Sequence, residues 1–292
     1  MEQNRNAGAV LLVNKARGLT SFDVIARLRR TLKIKCIGHT GTLDPFATGL
    51  LVILIGSYTR LCNYITAQDK NYRAHVSFGA GTDTNDLEGK VISQGDPAFI
   101  QEEQIRQALT SFLGKQQQIP PQFSAISIDG ERAYKKARRG EVIDLASRPV
   151  VIHSIKLISW KNPCAEIEVH CSKGTYIRSI ARDLGNLLGA PAHLSQLHRL
   201  FSGSYQVQAA ISSDDLGDLE KVSSHLTTGI HAILDIPKIE ISAETALALK
   251  RGQKPFCDLD ISSEVVFLTH CQSELVALTR LAEKKLVAVR GF

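Results

Sequence analysis

The sequence has no hydrophobic run long enough to cross a membrane and no cysteine pattern that indicates a disulfide framework. Its longest apolar run, residues 50–55, is far shorter than the roughly 20 residues that span a bilayer. No charged flank followed by an apolar stretch opens the chain, so we expect no signal peptide and a soluble protein that stays in the cytoplasm. The six cysteines include no Cys-x-x-Cys pair, so we expect reduced thiols and no zinc site.

The motifs of several cofactor-dependent enzyme classes are also missing. There is no Gly-x-x-x-x-Gly-Lys-Ser/Thr loop, no Gly-x-Gly-x-x-Gly before a helix and no His-Glu-x-x-His. Residues 83–89 superficially resemble a calcium-binding loop, but Glu88 stands where that loop needs glycine and Leu87 where it needs a ligand. We therefore expect neither a cofactor nor a bound metal.

The composition is that of a globular protein. The chain has 292 residues, 43% of them apolar and 22% charged, and this length suggests about two domains. No repeat or low-complexity segment is evident, which excludes solenoids and propellers. A chain of this size can bury enough surface to need no disulfide or metal for stability.

Positive charge is concentrated in two places along the chain. The net charge is +6, and five basic residues fall within residues 27–35 and five more within residues 132–139. Two dense clusters in an otherwise balanced chain favour a polyanionic partner, above all nucleic acid. The alternative is that they form two ordinary solvated helix faces.

The pattern of apolar residues predicts an α+β protein with a large mixed, mostly antiparallel sheet. Strands are predicted over residues 10–13, 50–55, 72–78 and 165–169, and helices over residues 25–32, 103–113, 177–188 and 243–251. Thr20 or Ser21 is expected to cap the first helix. Because strands and helices do not alternate strictly, a doubly wound parallel sheet is excluded.

A change of pattern divides the chain near residue 236. An acidic, turn-prone stretch covers residues 214–220, and from Pro237 onward short strands and one helix follow. Residues 237–292 carry a net charge of only +1, which leaves +5 for the rest. We expect a first domain over residues 1–236 and a small β-rich domain over residues 237–292.

The most unusual segment is the glycine-rich stretch of residues 38–49, which leads directly into a predicted buried strand. Its glycines allow tight turns and close approach to a ligand, and Pro45 disfavours helical dihedrals at Asp44. A carboxylate presented in this way could act as a nucleophile, a base or a metal ligand. Taken alone, an Asp-Pro pair in a glycine-rich loop is more often a simple turn.

The whole string Gly-His-Thr-Gly-Thr-Leu-Asp-Pro-Phe-Ala-Thr-Gly-Leu at residues 38–50 resembles the catalytic loop of the bacterial tRNA pseudouridine synthases of the TruB family. Further segments resemble the family's motifs in the family's order: Lys15 with Gly18 and Ser21, Asp-Lys-Asn-Tyr at 69–72, Thr-Asp-Thr-Asn-Asp at 82–86, Pro-Pro-Gln-Phe-Ser-Ala at 120–125 and Cys-Ser-Lys-Gly-Thr-Tyr-Ile-Arg at 171–178. The resemblance runs from about residue 9 to residue 203 and continues more faintly through the tail.

Three positions depart from the family's motifs. Ala16 replaces a proline, Phe123 a tyrosine and His198 an arginine. None of them is a residue that the resemblance assigns to the chemistry, so we expect the departures to affect only the fit of the bound RNA.

The resemblance implies a pseudouridine-synthase fold with a small PUA-like RNA-binding domain at residues 237–292. It implies an isomerase that converts uridine 55 in the T loop of tRNA to pseudouridine without a cofactor or metal. Asp44 would be the nucleophile, Arg178 its cationic partner, and Tyr72 a stacking surface whose hydroxyl could move a proton. The implied substrate-binding residues are His39, Tyr72, Tyr176 and Leu197, and Lys173 and Arg199 would contact phosphates.

The expected partner is the T-arm stem-loop of tRNA, bound by a monomer that uses neither a membrane nor a guide RNA. Two alternatives remain open at this point. One is an RNA-binding protein or folding chaperone that uses the same groove without turnover. The other is a guide-dependent relative of the archaeal or eukaryotic type, which the short tail and the lack of a Lys-rich extension disfavour.

Overall fold

The computed structural model describes residues 8–124, 127–128, 130–139, 141, 143–259 and 262–292. Ala125, which ends the Pro-Pro-Gln-Phe-Ser-Ala segment, lies outside this range. The side chains of Arg132, Lys135 and Arg138, which belong to the second basic cluster, also lie outside the described part.

Strands and helices are mixed along the chain. The strands are β1 (Ala9–Lys15), β2 (Ile37–His39), β3 (Thr48–Ile55), β4 (Lys70–Phe78), β5 (Ala80–Thr82), β6 (Val91–Gln94), β7 (Gly114–Gln118), β8 (Ser127–Ile128), β9 (Glu131–Arg132), β10 (Arg148–Lys161), β11 (Cys164–Cys171), β12 (Ala192–Ser202), β13 (Tyr205–Gln206), β14 (Ile211–Ser212), β15 (Thr227–Thr228), β16 (Lys238–Glu240), β17 (Val266–Cys271), β18 (Glu274–Ala282) and β19 (Lys285–Gly291). The α-helices are α1 (Ser21–Leu32), α2 (Cys62–Thr66), α3 (Glu102–Thr110), α4 (Ala133–Arg138), α5 (Ile177–Leu188), α6 (Leu219–Ser224) and α7 (Ala243–Lys250). Short 3₁₀ helices cover Gly56–Leu61, Val207–Ala209, Ser213–Gly217 and Ile230–Ala232.

Local sequence explains where the first helix begins and ends. Thr20 Oγ1 accepts a hydrogen bond from the Asp23 N–H (3.0 Å), and an Asp23 carboxylate oxygen accepts one from the Thr20 N–H (2.8 Å). This reciprocal pair satisfies two backbone donors that a helix start leaves without partners. At the other end Lys33 adopts a left-handed conformation with φ 54°. Of the two residues predicted to cap the helix, Thr20 and Ser21, the structure shows Thr20 as the cap.

Alternation of buried and accessible residues sets the two faces of β4. Tyr72, Ala74, Val76 and Phe78 are buried, while Arg73 between them is exposed. Successive side chains of a strand point to opposite faces of its sheet, so this pattern places the four apolar side chains on one covered face. The strand predicted over residues 72–78 is confirmed.

The chain forms two compact units, which are described separately. The second unit contains Pro45–Gly49 and Asp69–Ser202. Its sheet has the order β12-β4-β11-β10-β7, in which every neighbouring pair is antiparallel. The first residues of β3 join this sheet by pairing in parallel with β12. Helices α3 and α5 pack against it and against each other.

The first unit contains Met1–Asp44, Leu50–Gln68 and Gly203–Phe292. Within it β1 lies beside β3 and pairs with β14 and β15, while β2 pairs with β3. Its tail forms a separate four-stranded sheet in the order β16-β17-β18-β19. The predicted α+β class, with a large mixed and mostly antiparallel sheet flanked by helices and a smaller sheet in the tail, is confirmed.

The tail sheet shares an apolar core with the rest of the first unit. Leu268 on β17 and Leu278 on β18 are fully buried in a cluster that also contains Val10, Leu50 and Leu54. A second cluster around Phe267 packs strands β17 and β18 against α7. The division of the chain at residue 236 therefore stays a prediction, because the tail is compact both with itself and with earlier segments.

No helix in the described part of the chain is long and apolar enough to cross a membrane.

Gly49 provides the first test of this fold. Its φ is +97°, and a Cβ there would lie 2.4 Å from the carbonyl oxygen of Arg199 on β12. We expect Gly49→Ala to lower the free energy of unfolding by more than about 2 kcal/mol, because both strain and a backbone clash would result. Urea denaturation measures this change.

The matched control is Gly217→Ala, where an added Cβ would meet nothing within 4 Å. We expect this control to change the free energy of unfolding by no more than about 0.5 kcal/mol. Equal effects of the two substitutions would contradict the close approach of β3 and β12.

Candidate active site

The backbone that presents Asp44 is held by a buried serine. Ser21, the first residue of α1, is 3% exposed. Its hydroxyl accepts a hydrogen bond from the Leu43 N–H (2.9 Å) and donates one to the Leu43 carbonyl (3.3 Å). Leu43 is itself buried, and Asp44 follows it as a half-buried loop residue. The helix start thus anchors the residue directly before the predicted nucleophile.

His39 ends the short strand β2 at the opposite side of the same loop. Its carbonyl accepts from the Cys62 thiol (3.3 Å), and its Nδ1 accepts from the Gly41 N–H (3.3 Å). The next residue, Thr40, donates its N–H to the Val52 carbonyl of β3 (3.0 Å). His39 is half-buried, and its backbone is therefore tied to a rigid strand pair.

Tyr72 lies in the middle of the second unit's sheet. It sits on β4 opposite Val169 of β11 and Arg199 of β12 and is 9% exposed. Leu197, 8% exposed, lies on β12 opposite Ala74. Tyr72 and Leu197 are thus on neighbouring strands, as a shared pocket would require.

Arg178 is a buried cation in the first turn of α5. It is 6% exposed, and Nη1 donates to the Thr84 carbonyl (3.1 Å) and to a carboxylate oxygen of Asp86 (3.3 Å). Nη2 donates to the Phe123 carbonyl (3.0 Å). Asp86 is buried as well, at 4% exposure. An ion pair removed from water in this way needs these additional hydrogen bonds to be tolerated.

Asp86 is fixed in turn by its own loop. Its other carboxylate oxygen accepts from the Thr84 hydroxyl (2.6 Å) and from the Glu88 N–H (3.0 Å). The loop is joined to β12, because the Leu87 N–H donates to the Leu194 carbonyl (3.1 Å). The Thr-Asp-Thr-Asn-Asp segment therefore serves to hold a carboxylate beside Arg178.

Tyr176 is positioned through its backbone. The amide side chain of Gln118, at the end of β7, accepts from the Tyr176 N–H (2.8 Å) and donates to the Tyr176 carbonyl (3.1 Å). Gln118 is 7% exposed. These two hydrogen bonds fix the backbone of the residue that precedes α5. The side chain of Tyr176 is half-buried.

The departure at His198 has a local partner. Its Nδ1 and the Thr48 hydroxyl lie 2.8 Å apart, and the same hydroxyl donates to the Leu197 carbonyl (3.3 Å). Burial, and next the positive charge of Arg73, lower the pKa of His198. The His198 side chain therefore forms a hydrogen bond with Thr48 at the start of β3, and its surroundings favour the neutral form of the imidazole.

The two residues expected to contact phosphates differ in exposure. Lys173 is exposed and stays a candidate. Arg199 is 2% exposed and lies opposite Tyr72 within the sheet. The contact of Arg199 with a phosphate stays a prediction, for a guanidinium that is buried in this structure.

Lys70 is a second buried cation on the face of Tyr72. It stands two residues before Tyr72 on β4, is 5% exposed and lies opposite Cys171. Burial, and next the charge of Arg199, lower the pKa of Lys70 to about 8. Burial raises the pKa of the Cys171 thiol to about 12, so this cysteine remains protonated beside the lysine.

The predicted site residues fall into two groups. His39 and Asp44 belong to the first unit, and Tyr72, Tyr176, Arg178 and Leu197 belong to the second. The pairing of Asp44 with Arg178 stays a prediction. Three residues that support the site were not given a role in it from the sequence: Ser21, Asp86 and Gln118. Ser21 and Asp86 lie in motifs that the sequence analysis quotes, whereas Gln118 carries no local signal.

Comparisons with known proteins agree with one another. The family described as "TruB family pseudouridylate synthase (N terminal domain)" matches residues 29–177. The tRNA pseudouridine synthase B of Roseobacter denitrificans is 38% identical over 298 residues, covering 99% of this chain and 96% of that protein. The tRNA pseudouridine synthase B of Prochlorococcus marinus is 43% identical over 256 residues, covering 86% and 81%.

Solved structures are similar in fold. A Cbf5-Nop10-Gar1 complex contains a chain with a TM-score of 0.75 and 23% identity, covering 100% of this chain and 85% of that chain. An H/ACA ribonucleoprotein bound to a substrate RNA containing 2′-deoxyuridine gives a TM-score of 0.73 at 22% identity, covering 97% and 84%. At this identity the likeness concerns the fold alone.

The Arg178–Asp86 pair can be tested by removing its negative charge. We expect Asp86→Asn to lower the free energy of unfolding by about 3 kcal/mol or more, because the variant leaves a buried guanidinium without its counter-ion. Urea denaturation followed by circular dichroism measures the loss.

Asp183→Asn is the control for the same chemical change. Asp183 pairs with Arg182 on the same helix, but both side chains are partly exposed. Exposed pairs contribute roughly 0–1 kcal/mol, so the control is expected to be nearly neutral. A neutral Asp86→Asn would mean that the pair does not stabilise the fold.

The low pKa of Lys70 predicts a dependence of stability on pH. Below pH 8 the lysine is protonated in the folded and unfolded chain, and the folded chain bears the cost of burying its charge. Between pH 8 and its unfolded value near 10.5, the folded chain releases its proton first, so stability rises with pH. We expect the free energy of unfolding, relative to Lys70→Met, to increase by up to about 3 kcal/mol across this range.

Denaturant titrations of both proteins at several pH values measure this difference, and the comparison cancels the titration of other groups. A difference that stays constant from pH 8 to 10.5 would contradict the buried, charged state of Lys70 at neutral pH.

Proposed function

The chain belongs to the TruB family of pseudouridylate synthases, and on this premise we propose that it converts uridine 55 in the T loop of tRNA to pseudouridine. The observation that carries the proposal is the 38% identity with a tRNA pseudouridine synthase B over 99% of the chain. The string at residues 38–50 supports it further, because it resembles the family's catalytic loop around Asp44.

The reaction is an isomerisation. The C1′–N1 glycosidic bond breaks, the uracil turns, and a C1′–C5 bond forms. The reaction therefore includes no net oxidation or reduction and no phosphoryl transfer. A carboxylate can attack the sugar or the base and form a covalent intermediate, whose bond to the carboxylate breaks again before the product leaves. The proton lost from C5 is balanced by the proton that N1 gains. We assign this role to Asp44. The two hydrogen bonds between the Ser21 hydroxyl and the Leu43 backbone support the assignment, since they fix the backbone next to the carboxylate.

Arg178 serves as the cationic partner of this carboxylate in the proposed reaction. A nucleophilic carboxylate must be ionised, and a guanidinium can keep it ionised and orient it. Three acceptors from Thr84, Phe123 and Asp86 fix the plane of the Arg178 guanidinium. A fixed plane favours one direction of approach for an anion, which is what a catalytic role requires.

A base inside a folded T loop must leave its stack before it can react. The unstacked base needs an apolar or aromatic surface, and Tyr72 and Leu197 on neighbouring strands supply one. We assign Tyr176 to the same surface, and the hydrogen bonds with Gln118 that hold its backbone support the assignment. We assign His39 to the loop that contacts the target nucleotide and its neighbours, and the Tyr72 hydroxyl to proton transfer at C5.

The proposed partner is the T-arm stem-loop of tRNA, bound by a monomer in the cytoplasm without a guide RNA. The basic cluster of residues 27–35 supports a contact with the RNA backbone, because Lys33 and Lys35 are exposed beyond the end of α1. The four-stranded tail sheet, with its own helix α7, is proposed to be the PUA-like RNA-binding part.

Asp44→Asn tests the proposed chemistry. We expect pseudouridine formation in unmodified tRNA transcript to fall to background, because an amide is not a nucleophile. Affinity for tRNA is expected to stay within a few-fold, because the substitution also removes a negative charge that repels phosphate. The rate is measured by quantifying pseudouridine over time, and the affinity by filter binding.

Asp183→Asn controls for the loss of an acidic group and is expected to keep its full rate. Retained turnover in purified Asp44→Asn would overturn the assignment of the nucleophile. Tight binding of tRNA by the wild type with no turnover would instead favour an RNA-binding protein or chaperone that uses the same groove.

A further inference from the structure

Three potential metal ligands meet on the second unit's sheet. Asp69 immediately precedes β4, His153 lies on β10, and His170 lies on β11. His153 Nε2 is 3.1 Å from an Asp69 carboxylate oxygen, and the two imidazole rings are 4.8 Å apart between centroids. One ligand atom from each of the three side chains lies within 4.8 Å of the other two.

This cluster is separate from the candidate active site. His170 stands opposite Asn71, whereas Val169 stands opposite Tyr72. Because successive side chains of a strand point to opposite faces, His170 lies on the face of the sheet that Tyr72 does not share. His170 is therefore on the opposite face of the sheet from Lys70 and Tyr72, and Asp69 comes directly before Lys70 at the edge of β4.

A bulge brings the two histidines together. The register between β10 and β11 shifts between Ile152 and Ser154, which makes His153 the additional residue. A bulge of this kind re-aims a side chain out of the regular ladder. On the other side of His170, the ring of Phe201 packs edge-on at 5.2 Å. One ligand is thus oriented by packing and a second by an irregularity of the strand.

Of the two carboxylates near the histidines, Asp69 and Glu168, only Asp69 belongs to the cluster. Glu168, the next residue of β11 on this face, is bonded by the Asn71 amide (3.1 Å) and by Arg73 (3.1 Å). Its charge is therefore already compensated. His153 and Asp69 are 38% and 44% exposed, so both side chains have room to turn toward a shared ion.

The geometry points to a site for a divalent transition metal of the zinc type, which we propose is held by Asp69, His153 and His170 with water as the fourth ligand. Two imidazoles and a carboxylate are a donor set that Zn²⁺ takes. Ligand atoms about 2.0–2.1 Å from a tetrahedral ion are roughly 3.3 Å apart. The Asp69–His153 distance of 3.1 Å is close to this spacing, and the remaining pairs of ligand atoms lie within 4.8 Å of each other.

Such an ion would join the start of β4 to β10 and β11. Its role would be structural, since His170 lies on the face opposite Tyr72 and the proposed isomerisation needs no metal. Local motifs could not predict this site, because its three ligands come from separate segments of the chain that strand pairing brings together.

The test is direct metal binding by the full-length protein after treatment with a chelator. We expect equilibrium dialysis to show one Zn²⁺ per chain. His153→Ala, His170→Ala and Asp69→Asn are each expected to weaken its binding by more than about 100-fold, beyond what the loss of an outer-shell partner usually costs. Co²⁺ bound in place of Zn²⁺ is expected to give a visible absorption spectrum that the same variants lose.

His225→Ala is the control, because this exposed histidine of the first unit lies in a different part of the chain. Circular dichroism of each metal-free variant shows first that its fold matches the wild type. Absence of Zn²⁺ binding would overturn the site. Binding that persists in His170→Ala, or that is lost in Cys36→Ser and not in the three variants, would overturn it as well, because the exposed thiol of Cys36 would then hold the ion.

Discussion

A guanidinium removed from water has to be compensated, and the compensation of Arg178 organises the second unit of this chain. Its partners come from the Asp83–Gly89 loop region and from the segment before residue 125, and the helix that carries it packs against β12 and β4. Removing any one acceptor would leave a buried charge partly uncompensated, which is costly. The loop at Asp86, the backbone at Phe123 and the start of α5 must therefore keep their positions together.

The first unit applies the same logic with neutral groups. Ser21 uses a single buried hydroxyl to satisfy both polar groups of the Leu43 backbone, and it can do so because the capped start of α1 is rigid. In both units, a residue at the start of a helix thus fixes a loop. Ser21 does so with two neutral hydrogen bonds, and Arg178 does so with its charged guanidinium. Such supports would leave the groups that we propose to be catalytic with little reorganisation to undergo when they react.

Much of this was predictable from local sequence. Strict alternation placed Tyr72 on the buried face of β4, Thr20 identified the start of α1, and the motifs located the segments that carry Asp44, Asp86 and Arg178. The burial of Arg199 was less predictable. A basic side chain is expected at the surface, and only the pairing of β12 with β4 places this one on the covered face of the sheet. The core shared by Leu268 with Val10 and the meeting of His153 with His170 also depend on contacts between distant segments, which periodicity does not encode.

The most direct measurement is to map pseudouridine in an unmodified tRNA transcript that has been incubated with the purified wild-type chain alone. We expect a single pseudouridine at position 55 in the T loop, formed without guide RNA, metal or other cofactor. No pseudouridine, or pseudouridine only at another position, would contradict the proposed function.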